Sequence, residues 1–207
     1  MVIATAYNVG FQSVRLTGGP GWIGSAEGVY DIDARASGGA RSAEMRLMLQ
    51  ALLAERFKLK IRRETKDLPV YAITVAKSGL KLEKAKECPE TGAGGVACHS
   101  LVGGRGRGLH GEAVSLTDVL SYVENWTDRP LSDRTGITGL FNVQTRGWQP
   151  SQPGPAPAPG AKAEDGGELA DLPDLSTVFA GLGLKMEAQK GAVEIFVIES
   201  VEKPGEN

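Results

Sequence analysis

Lys58-Leu59-Lys60-Ile61-Arg62-Arg63-Glu64-Thr65-Lys66-Asp67-Leu68-Pro69-Val70-Tyr71-Ala72-Ile73-Thr74-Val75 decides how the chain is read. Leu59 and Ile61 alternate with Lys60 and Arg62, the period of a half-buried strand. Lys66 to Pro69 reads as a turn, and Val70 to Val75 is rich in β-formers. A helix precedes the first strand. Met45, Met48, Leu49, Leu52 and Leu53 recur at helical spacing, with Ser42 as N-cap and Glu44 in the first turn. The unit is helix, strand, turn, strand.

The same unit returns near the C-terminus. An offset of 125 places Leu59-Lys60-Ile61 on Leu184-Lys185-Met186 and Val70-Tyr71-Ala72-Ile73 on Ile195-Phe196-Val197-Ile198. A short helix, 175–182, precedes it with Asp171 or Asp174 as cap, and Lys190-Gly191 supplies the turn. An offset of 111 relates a second pair, Gly28 to Arg35 and Gly139 to Arg146. Each reads as a strand entered from glycine. A strong helix over 116–126 stands before the second, with a capping box at Ser115 and Asp118 and one face of Leu116, Val119, Leu120 and Val123. A helix ending near Tyr7 stands before the first. Internal repetition dictates fold. The expectation is α+β: two pseudo-repeats, each of two helix–strand–strand units with helices packed on antiparallel sheet. The first repeat is 1–87, the second 113–207, and 88–112 connects them.

Two stretches read as loops. Gln149 to Glu168 carries five prolines in a Pro/Ala/Gly run, the composition of a partly extended linker. Cys88 to Gly111 holds eight glycines in 24 residues.

The 207 residues are 41% hydrophobic and 23% charged, with a net charge of −2. That suffices for a core and argues against a global grip on nucleic acid. No apolar run is long enough to span a membrane. Met1 to Tyr7 reads as the tail of an amphipathic helix rather than a secretory leader, so the expectation is a chain clipped at its start.

Leu52 to Leu59, Glu64 to Ala72, and Asp133-Arg134-Thr135-Gly136-Ile137-Thr138-Gly139-Leu140-Phe141 together resemble a large family of uncharacterised proteins, DUF3738, abundant in soil Acidobacteria of the Solibacter type. Gly18-Gly19-Pro20-Gly21-Trp22 and Val201-Glu202-Lys203-Pro204 also fit. The resemblance covers nearly the whole chain. It implies export to the periplasm or beyond, and it supplies no activity and no catalytic residues. By pattern alone, the helix-plus-hairpin units look like the short N-terminal domains of secretins and TonB-dependent receptors, which are periplasmic interaction modules.

Cys88 and Cys98 are the only cysteines, and they flank a Gly/Pro-rich loop. In a family usually exported, a disulfide is expected, with free thiols and a metal site as alternatives. Cys98-His99 is a poor nucleophile and base, because adjacent residues rarely face one another. His99, His110 and Glu112 could hold a metal, but the tight ligand spacing of zinc sites is missing, and solvated loop histidines are the plainer reading. No metal or cofactor is expected. Gly106-Arg107-Gly108-Leu109-His110-Gly111 matches G-x-G-x-x-G. A dinucleotide site needs that turn between a buried strand and a helix, and the helix here starts only at Ser115. Arg105 and Arg107 could catch an anion, or be solvated. Asp31 and Asp33 share one face of the expected strand, as a carboxylate pair or a polar face. Trp22, Trp126 and Trp148 could line a ligand groove or pack at the core edge.

Two functions follow. The first is an extracytoplasmic module that binds a peptide, an envelope protein or a glycan, in the groove between repeats or by strand addition. An unpaired strand edge would also allow a homodimer. The second is a hydrolase of small esters, lactones or glycosides, with His99, His110 and Glu112 as its working groups.

Overall fold

The computed structural model describes residues 2–11, 13–25, 28–35, 42–85, 98–104, 106–149 and 171–204. In chain order the elements are α1 (Val2–Ala6), β1 (Leu16–Gly18), a 3-10 turn (Gly21–Gly24), α2 (Ser42–Arg56), β2 (Lys60–Val75), β3 (Glu83–Lys84), β4 (Leu101–Gly104), β5 (Gly108–Val114), α3 (Leu116–Val123), β6 (Leu131–Asp133), β7 (Phe141–Gln144), α4 (Leu175–Gly181) and β8 (Leu184–Ser200). The α+β class expected from the sequence holds. One sheet has the order β1-β8-β2-β6 and the other β3-β7-β5-β4. In the first, β1 pairs with β8 and β6 with β2, both in parallel. The second is antiparallel.

The chain forms two compact units, Met1–Asp67 with Ala192–Asn207, and Leu68–Gly191. These boundaries differ from repeats at 1–87 and 113–207, because β2 and β8 do not break where turns were expected. Lys66 to Pro69 and Lys190-Gly191 lie inside strands of 16 and 17 residues. Each long strand therefore starts in one unit and ends in the other.

In the first unit, Ala6, Leu53, Phe57, Leu59 and Ile198 form the core, and Ala4, Val9 and Phe196 a smaller cluster. Gln50 Nε2 donates to the Ala6 carbonyl at 2.7 Å, tying α2 to α1. Leu53 is buried and Leu49 and Leu52 are half-buried, while Met45 and Met48 face solvent rather than the core as their spacing predicts. In Gly28 to Arg35, expected as a strand, residues 29–35 are without regular structure. Arg63 lies over the Phe196 ring at 5.4 Å, and Arg62 bridges Glu64 and Glu199.

In the second unit, α3, α4 and the inward faces of both sheets enclose one core, which includes Ile73, Leu109, Val119, Phe141, Phe179 and Leu184. Both helices are capped as read from sequence. Ser115 Oγ accepts from Asp118 N–H at 3.1 Å, and Asp174 Oδ1 accepts from Thr177 N–H at 2.6 Å. Of the glycine-rich stretch 88–111 expected as a loop, 88–97 lies outside the described residues, and β4 and β5 pair as an antiparallel hairpin. Gly103 and Gly108 adopt φ of +110° and +79°. A Cβ on Gly108 would lie 2.1 Å from the Thr145 carbonyl oxygen, so only glycine fits. Beyond Gln149, the expected linker at 149–168 lies outside the described residues.

Candidate functional site: a polar cleft on the second sheet

Alternation along β5 and β7 sorts their side chains. Leu109, Phe141 and Val143 are buried, and His110, Glu112, Asn142 and Gln144 point to the other face. Register brings the outward residues together: His110 lies opposite Gln144, and Glu83 opposite Asn142. A β-bulge between Gly111 and Val114 returns Val114 to the core beside Phe141. Ala113, at φ +50°, is the bulged residue. Its N–H donates to Asn142 Oδ1 at 3.1 Å. Its carbonyl accepts from His99 Nδ1 at 2.7 Å. A carbonyl can only accept, so this nitrogen of His99 carries a proton.

The outward residues line a cleft of about 600 Å³, together with Lys81, Leu82, Glu83 and Leu182. Among the described residues, the side chains of Lys81, Glu83, His110, Glu112 and Gln144 make no hydrogen bond or ion pair within the chain, and Asn142 keeps its NH2 unspent. The cleft thus offers donors, acceptors and both charge signs on a floor of paired strands. No group of three His, Cys, Asp or Glu side chains among the described residues is arranged to hold a metal.

Of the residues singled out from sequence, His110 and Glu112 meet in this cleft. His99 does not line it, since its ring is committed to the bulge. Trp148 is 1% exposed and stacks edge-on against Trp126 at 6.0 Å, with Tyr122 on the far side at 5.2 Å. Trp148 belongs to the core itself, Trp126 packs partly buried against it, and Gly104 abuts the Trp126 ring. Trp22 belongs to the other unit, edge-on to Tyr30 at 6.3 Å and beneath Lys203. Asp33 pairs with Arg35 at 3.7 Å in full exposure; Asp31 is likewise exposed. Arg107 sits on the turn of the hairpin, and Arg105 lies outside the described residues. Cys98 is disulfide-bonded; Cys88 lies outside the described residues. The G-x-G-x-x-G run opens into β5 rather than a helix, so it lacks the geometry of a dinucleotide site.

Sequence reading missed Lys81, Glu83, Asn142 and Gln144. The alternation of 141–144 was visible, but not the strand it would face. It also missed a second cluster. Tyr71 Oη donates to Asp128 Oδ1 at 2.9 Å, and Arg129 contacts Asp128 at 3.3 Å while lying over the Tyr71 ring. Burial first, then the Asp128 carboxylate, pushes the Tyr71 phenol above its ordinary value.

No curated protein and no solved structure matches this chain. A family model described as a protein of unknown function, DUF3738, matches residues 1–201. With that match over nearly its whole length, the chain belongs to the DUF3738 family.

Proposed function

We propose that the chain is a binding module whose ligand, a glycan, sits in the cleft of the second sheet. The observation that carries this reading is the convergence of polar side chains with unspent hydrogen-bonding capacity on a concavity of about 600 Å³. That volume lies in the range of small-ligand sites, roughly 300–1,000 Å³. A protein partner would need about 800 Å² of matching surface on each side. Sugar hydroxyls both donate and accept, as this mixture of carboxylate, amide and imidazole requires. Leu82 and Leu182 offer apolar surface to the C–H face of a sugar ring. Two carboxylates against one ammonium disfavour an anionic ligand. A peptide adding as a strand is less well served. The β3 edge is two charged residues long, and the Gly103 carbonyl of β4 already accepts from Tyr122 Oη at 3.1 Å.

Titration calorimetry with a panel of neutral oligosaccharides tests the reading. Glu112→Gln and Asn142→Ala should each weaken binding about tenfold or more, the worth of one hydrogen bond to a charged or fixed group. Binding of extended peptides or an envelope protein, with no response to any sugar, would refute it.

A second reading rests on His110 and Glu112. Two residues apart on one strand, they share a face of the cleft and could act as acid and base in hydrolysis of esters, lactones or glycosides. Turnover of chromogenic esters or glycosides that survives both His110→Ala and Glu112→Gln would remove it.

We also infer an extracytoplasmic location, because disulfides such as that at Cys98 persist in oxidising compartments. Alkylation in cells without reductant should find no free thiol. Two alkylated cysteines would defeat the inference.

A further inference from the structure

We propose that the first unit self-associates through the outer face of α2, two copies crossing antiparallel at Ala51. The inner side of this helix packs through Leu49, Leu52 and Leu53. Its outer side is apolar as well, with Leu47 64% exposed, Met45 54% and Met48 47%. A helix apolar on both sides is normally covered on both sides. Between Glu44 and Glu55 the exposed positions Met45, Leu47, Met48, Ala51 and Ala54 carry no charge, and Arg46 is half-buried.

The pattern selects a second copy of α2 as the occupant. Leu47, Ala51 and Ala54 follow the four-then-three spacing of a helix-pair seam. Ala51 stands at its centre and is small enough to let two backbones approach, with Leu47 and Met48 on either side to pack across it. The ends of the helix differ in charge. Glu44 occupies the first turn and Arg56 the last, and Lys58 follows. An antiparallel copy brings the Glu44 end of one helix to the Arg56 end of the other, twice over, in a two-fold interface. A parallel copy would set like charges together. A lipid surface is a poorer occupant, because interfacial helices rim their apolar face with Lys and Arg, whereas Glu44 and Glu55 flank this one.

Sedimentation equilibrium of the full chain, up to about 100 µM, should show a reversible dimer. Leu47→Glu, at an exposed position, should weaken it at least tenfold with an unchanged circular dichroism spectrum. Val29→Glu, at an exposed apolar residue elsewhere in the same unit, should not. Ala51→Cys should give a covalent dimer on mild oxidation, since symmetry brings position 51 against itself, and Val29→Cys should give no such crosslink. The cysteine pair decides the matter if Leu47→Glu fails to fold. A monomer at every concentration overturns the proposal. So does a dimer indifferent to Leu47→Glu without the Ala51→Cys crosslink. Binding of the monomer to phosphatidylcholine–phosphatidylglycerol vesicles through this face would overturn it in favour of lipid.

Discussion

A parallel strand pair occurs in each unit, and the second sheet in only one of them. In the first, β1 lies parallel to β8 at Phe196–Ile198. In the second, β6 lies parallel to β2 at Tyr71–Ile73. The same offset of 125 relates these residues as relates Leu59 to Leu184, and all of Leu59, Leu184, Ile73 and Ile198 are buried. The departure comes at the offset of 111. Phe141–Gln144 is a strand in the second unit, while Tyr30 and its neighbours in the first are not. The reason is a pairing partner. The β4–β5 hairpin gives β7 a neighbour, and no described strand lies beside 28–35. Alternation confers only the capacity to be a strand. Main-chain hydrogen bonds must go somewhere for that capacity to be realised. The second sheet gives one unit a polar cleft, while the other leaves an apolar helix face in the open.

Phe141→Ala should break this comparison most severely. Phe141 is 1% exposed, and removing a buried phenyl ring costs about 3–5 kcal/mol. Its counterpart Tyr30 is half-buried against Trp22 and Phe57, so Tyr30→Ala should cost about half as much by urea denaturation. Equal costs would mean that the two positions are equally built in. Gly108→Ala comes next. It strains a positive φ and drives a methyl into the Thr145 carbonyl, for about 2 kcal/mol or more, and the cleft should lose its ligand with the hairpin.

Asp174→Ala should cost about 1 kcal/mol through loss of the α4 cap. The Thr177 N–H, and then the Ser176 hydroxyl, hold the Asp174 carboxyl below its ordinary value. A depressed folded pKa means stability that is fully present above the unfolded value, about 3.9, and lost as pH falls through the lower folded value. The variant should therefore lose part of the acid limb of the stability profile and leave neutral pH dependence unchanged. Arg62→Gln should do least. Lys66 and Glu199 hold Glu64 and Arg62 in a solvated network, and such pairs contribute little. A thermal melt should not move measurably.

Much of the fold was legible because it rests on local rules. Ser115 and Asp174 announce their helices, and Leu116, Val119, Leu120 and Val123 announce a buried face. What escaped depends on distant residues. Lys66 to Pro69 has the composition of a turn, yet continues as strand because β8 runs beside it. Met45 and Met48 have core spacing, but Leu49, Leu52 and Leu53 are the ones that reach the core of the first unit. The cleft was half legible. His110 and Glu112 share a face by alternation alone, whereas Asn142 and Gln144 join them only through the register of β7 on β5, with α3 and β6 in the chain between.

The order of synthesis gains a meaning from the way the strands are divided. The first unit needs Ala192–Ser200, made long after Asp67, and all of the second unit is translated in between. The early segment must wait, its apolar side chains unsheltered, while the inserted body becomes able to fold. Closure of so distant a pairing is intrinsically slow, so in a growing chain the half that emerges first is the half that finishes last.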